Sequence, residues 1–361
     1  MRFPGFEGEW EECTIKDFGR VVTGSTPPTS DNRYYENGIR LWASPADLRG
    51  DKYISETCTK LSEKGFAKTR VIPRGATMVT CIGSTIGKMG MASCEMSTNQ
   101  QINSIIPNTQ TDSQYLYYAI QARFPRYSQS IAVQAVPILS KSSFEQLKNF
   151  RPLLQEQRKV GSFLDLIDRR ITIQNKIIER YESLIKALAY EAIGKYTPNT
   201  MLSECVLCSS STLKESDLEE AGAVPAYGAA GISGFTDSAI SNGDSILITK
   251  DGSGIGSLRY VSGPHSFVGT LNSMTPKDGV YLPYIYYALQ NVCFESYRTG
   301  QAIPHIYFKD YGKEAIYCPS FNDQKRLAKG LEMIDARIEI DRAALQALQS
   351  AKVYLLSAMF I

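Results

Sequence analysis

Several residue types that build metal sites and membrane spans are scarce or scattered in this chain of 361 residues. It has two histidines, His265 and His305, and eight cysteines that form a single CxxC, Cys205 to Cys208. Because a structural zinc site needs a second ligand pair, we expect buried thiols in a reducing compartment. No apolar run reaches eighteen residues, and no basic region followed by an apolar run opens the chain. We therefore expect a cytoplasmic protein without a membrane contact.

Motifs of nucleotide-binding enzymes are incomplete. GSTIGKM at 83–89 has its glycines one residue too close for a P-loop, and Met89 replaces the Ser or Thr that would hold magnesium. DGSGIG at 251–256 is better explained as turn glycines between two strands than as a dinucleotide site. Dispersed acids and two histidines give no carboxylate pair, Ser/His/Asp set or metal-ligand cluster. The sequence predicts no catalysis, no cofactor and no metal in this chain.

An internal repeat is the strongest feature that is present. QRKVGSFLDLIDRRI at 157–171 returns as QKRLAKGLEMIDARI at 324–338, an offset of 167 residues. GSTIG at 83–87 returns as GSGIG at 252–256, an offset of 169. Chance similarity does not keep its register over about ninety residues, so the chain is a duplication.

Each copy of the repeated phrase opens a long helix. Apolar residues alternate at spacings of four and three, which is the heptad pattern of a coiled coil, and predict helices over Val160–Ala192 and Leu327–Met359. Gln174 and Asp341 occupy the same seam position in both copies, and Lys352 is the one clear defect of the second seam. Two helices that each pack on their own domain are the alternative; we expect them to pack on each other. The apolar seam residues are Val160, Leu164, Ile167, Ile171, Ile178, Ile185, Leu188, Leu327, Leu331, Ile334, Ile338, Leu345, Leu348 and Leu355.

The segments outside the long helices have a different pattern. Short runs of β-branched and aromatic residues, separated by Gly, Pro, Asn and Asp, predict a largely antiparallel β structure with a few helices. YLYYAIQ and YIYYALQ are predicted as short helices that follow each sheet. The copies share this scaffold but almost nothing over residues 20–80 and 205–250, so a common frame carries two different surfaces.

The order of these motifs resembles one family. RFPGFEGEW, VVTGSTPP, YYENGIRLWASPADL, PRGATMVTCIGSTIGKMGMAS, QYLYYAI and PLLQEQRKVGSFLDLIDRRI follow one another as in the specificity subunit of type I restriction-modification enzymes. The resemblance covers essentially the whole chain, including the duplication. Each motif alone is loose, whereas their order and repetition are specific.

The resemblance implies an α+β fold of two duplicated mixed α/β target recognition domains, joined by two long helices packed as an antiparallel coiled coil. The expected segments are a first recognition domain over 1–150, a first spacer helix over 151–195, a second recognition domain over 196–321 and a second spacer helix over 322–361. A helix from Val160 to Ala192 is about 50 Å long at roughly 1.5 Å per residue, and successive major-groove faces of DNA are about 34 Å apart. We therefore expect the helices to set the spacing of the half-sites.

The resemblance also implies a function. Each recognition domain would read one half of a bipartite, asymmetric site in double-stranded DNA. Two methyltransferase subunits would dock on the helices, and motor-nuclease subunits would join them. S-adenosylmethionine and ATP would belong to those partners, and this chain would be non-catalytic. Approximate two-fold symmetry lets one chain bind two copies of one partner while reading two unlike half-sites.

Charge is distributed unevenly between the expected recognition domains. Residues 1–150 contain 17 Lys and Arg against 14 Asp and Glu, whereas residues 196–321 contain 7 against 12. The second domain is a poor phosphate binder by net charge. Either its few cations are concentrated on the contact face, or its partners supply the contacts to DNA phosphates. The densest basic stretch comprises Arg33, Arg40, Arg49, Lys52, Lys60, Lys64, Lys68, Arg70, Arg74 and Lys88.

Candidate base contacts are side chains that suit guanine or adenine in the major groove. In the first copy they are Arg33, Tyr34, Ser84, Thr85, Lys88, Gln100, Gln129 and Gln134. In the second copy they are Tyr227, Lys250, Ser253, Arg259, Arg298, Gln301 and His305. Two other functions stay open: a DNA-binding adaptor of a related defence system that recruits another effector, and a coiled-coil scaffold without a DNA role.

Overall fold

A computed structural model describes residues 2–131, 138–300 and 303–360, with the side chains of 129–131 left out. The chain divides into two compact units. Unit 1 comprises Met1–Gln174 with Ala344–Ile361, and unit 2 comprises Asn175–Ala343. Each long helix therefore contributes to both units, so these units do not coincide with the four expected segments, whose limits stay a prediction.

Unit 1 contains eleven described strands and four short or medium helices. A 3₁₀ turn lies at Asn32–Tyr34. The strands are β1 Glu11–Thr14, β2 Gly19–Thr23, β3 Arg40–Ala43, β4 Tyr53–Ile54, β5 Thr59–Leu61, β6 Val71–Ile72, β7 Thr77–Thr80, β8 Met89–Ala92, β9 Met96–Thr98, β10 Ile102–Pro107 and β11 Lys148–Arg151. The helices are α1 Ile15–Phe18, α2 Glu63–Phe66, α3 Ser113–Ile131 and α4 Lys141–Glu145.

The strands of unit 1 form three sheets. Their orders are β2-β10-β7-β8-β4, β5-β3-β9-β6 and β1-β11. Pairs are antiparallel except β4 with β8 and β3 with β9. Every residue of β7 and β8 is buried, because the sheet packs against α3 through an apolar core that includes Val79, Met91 and Tyr115. The predicted largely antiparallel β structure is confirmed.

Unit 2 repeats part of this plan. Two 3₁₀ turns lie at Glu215–Asp217 and Phe294–Tyr297. The strands are β12 Thr200–Met201, β13 Val206–Ser210, β14 Val224–Gly228, β15 Gly231–Thr236, β16 Ser245–Thr249, β17 Leu258–Val261, β18 Ser266–Phe267, β19 Leu271–Pro276 and β20 Ala315–Ile316. Their sheet orders are β13-β19-β16-β17, β15-β14-β18 and β12-β20.

The remaining helices include both long ones. They are α5 Leu154–Ala189, α6 Leu202–Cys205, α7 Leu282–Leu289, α8 Phe308–Tyr311 and α9 Phe321–Met359. YIYYALQ forms a short helix as predicted, but the prediction of a short helix for YLYYAIQ is wrong, since α3 has 19 residues. In unit 2 the helix ends at Leu289, and a 3₁₀ turn over Phe294–Tyr297 follows it.

The two long helices run antiparallel. In unit 1 Val160 and Leu164, near the start of α5, share an apolar core with Met359 and Phe360, at the end of α9. In unit 2, Arg342 Nη2 lies 2.6 Å from Glu182 Oε1, which joins the later part of α5 to the middle of α9. The predicted antiparallel helix pair is therefore confirmed.

Two details of the predicted seam differ from the structure. Lys352 is no defect, because its Nζ lies 2.6 Å from Asp168 Oδ1 and the seam therefore holds an ion pair at this point. Leu188 is 38% exposed, whereas Ala189 is fully buried. Buried residues continue at spacings of four through Ile185, Ala189 and Ile193, so Leu188 lies beside the inward face and not on it.

The other predicted seam positions face inward to different degrees. Asp341 is 5% exposed and accepts a hydrogen bond from Arg337 Nε at 2.9 Å. The buried apolar positions are Val160, Leu164, Ile178, Ile185, Leu331 and Ile338. Half-buried positions are Ile167, Ile171, Leu327, Ile334, Leu345, Leu348 and Leu355.

Candidate nucleic-acid interface

Two glycine-containing loops of the same shape stand at equivalent places in the two units. One joins β7 to β8 and the other joins β16 to β17. In the first loop Gly83 and Gly87 have φ of 93° and 90°, and in the second Gly252 and Gly256 have φ of 94° and 78°. Positive φ is readily adopted by glycine alone, so these positions need that residue. The prediction of turn glycines between strands is correct.

Backbone hydrogen bonds fix both loops in the same way. Gly87 N donates to Thr80 O at 2.9 Å, and Gly256 N donates to Thr249 O at 2.8 Å. A Cβ on Gly87 would collide with the ring of Phe124, and a Cβ on Gly256 would collide with the side chain of Phe294. Each loop therefore packs closely on the helical segment behind it. Such packing holds the loop in a defined shape.

A segment that follows the helix lies beside each loop. Ile82 forms a β-bridge with Ile138 in unit 1, and Asp251 forms the corresponding bridge with His305 in unit 2. Leu139 N donates to Cys81 O at 2.8 Å. The second copy repeats this contact, since Ile306 N donates to Lys250 O at 2.9 Å. Two chain segments thus build each candidate contact surface.

Several predicted base contacts meet at these surfaces. Ser84, Thr85 and Lys88 lie in the first loop, and both Ser84 and Lys88 are exposed. In the second, exposed Ser253 lies at the loop, and His305 Nδ1 lies 2.5 Å from Asp251 Oδ1. Lys250 precedes that loop directly. Arg298 is exposed and forms an ion pair with Glu295 at 2.7 Å, one residue before the Thr299–His305 bridge.

Other predicted contacts lie apart from the loops. Arg33 is in the 3₁₀ turn, with its guanidinium 2.8 Å from Asp31 and its side chain 76% exposed. Tyr34 follows it and is half-buried. Gln100 lies in the turn between β9 and β10, where Thr26 Oγ1 donates to its side chain. Gln129 is in α3, but its side chain, like all of Gln134 and Gln301, lies outside the described residues.

Tyr227 and Arg259 line a separate cavity in unit 2. The guanidinium of Arg259 lies 5.9 Å from the centre of the Tyr227 ring. The same cavity is lined by four carboxylates, Glu182, Glu332, Asp335 and Glu339. Acidic surroundings oppose phosphate binding, so these two residues fit a DNA contact less well than the loop residues do.

The basic stretch of unit 1 divides into engaged and free cations. Arg33, Arg40 and Lys52 form ion pairs, and Lys52 is buried, 2.7 Å from Asp165. Arg49 and Arg70 donate to backbone carbonyls. The exposed cations with neither an ion pair nor a side-chain hydrogen bond to a described residue are Lys60, Lys64, Lys68, Arg74 and Lys88. Phosphate contacts from this stretch are therefore expected from that last group.

Within the described residues, no group of three or more His, Cys, Asp or Glu could hold a metal ion. The CxxC thiols are free. Cys205 is buried, as predicted, whereas Cys208 is half-buried. Burial raises the pKa of the Cys208 thiol, so it stays protonated near neutral pH. None of the described helices is long and apolar enough to cross a membrane.

The two units and their paired loops fit a known protein family. The family described as "Type I restriction modification DNA specificity domain" matches residues 7–183 and 206–350, most of the chain. The chain belongs to this family, and the two matched segments correspond to the duplication found in the sequence.

Named relatives match about half of the chain. The type I restriction enzyme MjaIX specificity subunit of Methanocaldococcus jannaschii is 31% identical over 182 residues, which is 48% of this chain and 41% of the relative. The HindI specificity subunit of Haemophilus influenzae is 30% identical over 185 residues, 49% of this chain and 40% of the relative. Each match spans less than half the length of the relative.

Solved structures share the fold over nearly the whole chain. The S subunit of a type I restriction-modification system from M. genitalium has a TM-score of 0.69 at 18% identity, covering 98% of this chain and 96% of that one. A chain from a structural study of complex assembly in the type I R-M system has a TM-score of 0.53 at 14% identity, covering 99% and 97%.

Proposed function

We propose that this chain is a sequence-specific DNA-binding subunit that recognises a bipartite, asymmetric site, one half per recognition domain. One observation carries the proposal. The two loops have the same backbone shape but different side chains: Lys88 corresponds to Ser257, and the Ile82–Ile138 bridge corresponds to Asp251–His305. Two loops with the same backbone shape but different hydrogen-bonding groups suit two unlike half-sites, because a protein reads base identity through hydrogen-bond donors and acceptors at the groove edge.

We further propose that the chain directs two methyltransferase subunits, and with them motor-nuclease subunits, to that site. Four exposed apolar residues support two equal docking surfaces. Leu166 and Ile173 on α5 are 65% and 58% exposed, and their counterparts Met333 and Ile340 on α9 are 70% and 63% exposed. Seven residues separate the members of each pair, so each pair shares one helix face. Repeated exposed apolar side chains indicate repeated protein contacts.

Methylation-aware sequencing of host DNA with and without this gene tests the proposal. We expect a set of modified bases at one bipartite sequence that disappears with the gene and returns on complementation. An unchanged set of modified sites in the deletion strain would contradict it.

The chain itself is proposed to be non-catalytic, with S-adenosylmethionine and ATP bound by its partners. Radiolabelled methyl transfer to DNA should require an added methyltransferase subunit. Methyl transfer by the purified chain alone would contradict this part of the proposal.

A further inference from the structure

Among the described residues, the largest sheet of unit 2 has one strand fewer than its counterpart in unit 1. In unit 1 the five-stranded sheet ends with β4, which runs parallel to β8, and Met91 N donates to Lys52 O at 2.6 Å. In unit 2 the corresponding sheet ends at β17, the counterpart of β8 at the offset of 169 residues. No strand pairs with the outer edge of β17 within the described part of the chain.

The connections explain this difference. In unit 1, residues 44–58 link β3 to β5 and contain β4. In unit 2 only Ala229 and Ala230 stand between β14 and β15, so no chain is left over to form a fifth strand. An open edge strand presents unpaired N–H and C=O groups, which is a template for an added strand.

Strand β4 also brings a buried lysine into unit 1. Lys52 Nζ lies 2.7 Å from Asp165 Oδ1, 2.9 Å from the Tyr118 hydroxyl and 4.3 Å from the centre of the Tyr118 ring. Two further cations bind the same pair of carboxylates. Arg169 Nε lies 2.7 Å from Asp165 Oδ2, and Lys352 Nζ lies 2.6 Å from Asp168 Oδ1.

Unit 2 keeps the carboxylates and aromatic walls of this site. Asp165 and Asp168 correspond to Glu332 and Asp335, and Tyr118 corresponds to Tyr287. Tyr287 donates to Asp335 Oδ2 at 2.7 Å, as Tyr118 donates to Asp168 Oδ2 at 2.6 Å. The aromatic and acidic side that receives Lys52 in one copy is therefore present in the other.

The cations, by contrast, are missing from unit 2. Ala336 stands where Arg169 would be, Ile185 stands where Lys352 would be, and no strand among the described residues carries a counterpart of Lys52. Ile185, Ala336, Glu332 and Asp335 line an open cavity of about 690 Å³ that reaches β17. The position that the Lys52 ammonium occupies in unit 1 therefore corresponds to open space in unit 2.

Three cations, Lys186, Arg259 and Arg342, line the cavity, and Lys186 and Arg259 form no ion pair with a described residue. Arg342 binds Glu182 at 2.6 Å and Glu339 at 2.7 Å. Burial raises the pKa of Asp335 above its ordinary value, since the hydrogen bond from Tyr287 offsets that effect only in part. No described cation lies within ion-pairing distance of Asp335, so an added ammonium would find an unused partner.

We propose that this cavity binds an extended segment of a partner polypeptide that carries a lysine. The segment pairs in parallel with the outer edge of β17, as β4 pairs with β8, and places its ammonium between Glu332 and Asp335. In unit 1 the ammonium of Lys52 contacts Asp165, the counterpart of Glu332, and Lys352 binds Asp168, the counterpart of Asp335. The carboxylates of the cavity favour a cationic side chain, and the unpaired edge of β17 favours an extended backbone. A strand that carries a lysine satisfies both. The inference rests on the two copies of the site and not on the DNA-binding role.

A peptide with the sequence RGDKYISET, residues 49–57 of this chain, serves as the probe. Labelled with a fluorophore and titrated with the full chain, it should give a saturable rise in anisotropy. D335N should weaken binding about tenfold, as expected for one charge-assisted hydrogen bond. E191Q, an exposed carboxylate of unit 2 that does not line the cavity, is the control and should leave binding unchanged.

Two altered peptides separate strand addition from simple charge attraction. Norleucine in place of the lysine should weaken binding about tenfold, again because a charge-assisted contact is lost. N-methylation of the isoleucine nitrogen should also weaken it, since parallel pairing uses the N–H that follows the paired residue. Lack of saturation below about 1 mM, equal binding by D335N, or equal binding of the N-methylated peptide would overturn the proposal. Equal binding of the N-methylated peptide would mean that the carboxylates of the cavity attract any cation. A polyamine should then bind as well as the peptide does.

Discussion

Replacing Asp165 with Asn should destabilise unit 1 strongly. The side chains of Lys52 and Asp165 are 5% and 9% exposed, and the two charged atoms are 2.7 Å apart. Removing one partner of a buried ion pair leaves an uncompensated charge and costs about 3–5 kcal/mol. The ion pair of Asp165 with Arg169, whose side chain is 63% exposed, adds little to this figure.

Tryptophan fluorescence makes the assay specific for unit 1, because both tryptophans, Trp10 and Trp42, lie in that unit. Urea unfolding should show a lower midpoint for D165N. In K52M/D165N no buried charge is left unpaired, since only the largely exposed Arg169 loses its partner, so part of the loss should return, with a coupling of about 1–3 kcal/mol. E332Q is the matched control, since Glu332 is the counterpart of Asp165 without a buried lysine. It should leave the fluorescence midpoint unchanged.

The destabilisation of unit 1 by D165N should depend on pH in a defined direction. Burial raises the pKa of Asp165, but hydrogen bonds from Lys52 and Tyr53 outweigh it and hold that pKa below the ordinary value of 3.8. A depressed pKa contributes stability that is present above 3.8 and lost as pH falls through the folded value. The difference between the wild type and D165N should therefore narrow below that pH. A midpoint for D165N within about 0.5 kcal/mol of the wild type at neutral pH, as a surface substitution gives, would refute this reasoning.

Two further predictions concern partners and DNA. L166D or M333D should each reduce the number of bound methyltransferase subunits from two to one in native mass spectrometry. A charge in an apolar contact removes about 1.5–3 kcal/mol of burial and adds a desolvation cost. Retention of both subunits by both variants would argue against the docking surfaces. K88A should lower the salt dependence of DNA binding, with a slope of log K against log salt smaller by about 0.9. K176A, an exposed lysine of α5, is its control, and an equal slope for K88A and K176A would remove Lys88 from the interface.

The sequence predicted the elements whose signals are local or repeated. Heptad spacing indicated both long helices, and the repeated GSTIG and GSGIG loops indicated turns between strands because their glycines need positive φ. The defect assigned to Lys352 was wrong because heptad spacing identifies a seam position but not the residue opposite it. Asp168 supplies that residue, and both side chains are largely buried.

Contacts between distant segments could not be predicted from the sequence. Lys52 belongs to the densest basic stretch of the sequence, and nothing in its neighbours shows that β4 turns it towards Asp165, 113 residues further on. The missing fifth strand of unit 2 had a weak signal, because the copies share almost nothing between residues 20–80 and 205–250. That signal becomes meaningful only when the sheet orders of the two units are compared.

Each copy of the repeat is proposed to read one half of a divided DNA site. Exchanging residues 20–80 for the matching segment of another family member, followed by methylation-aware sequencing of the host genome, tests it most directly. One half of the modified sequence should change, while the other half and the methylation activity should persist. A change in both halves together, or in neither, with methylation retained, would contradict it.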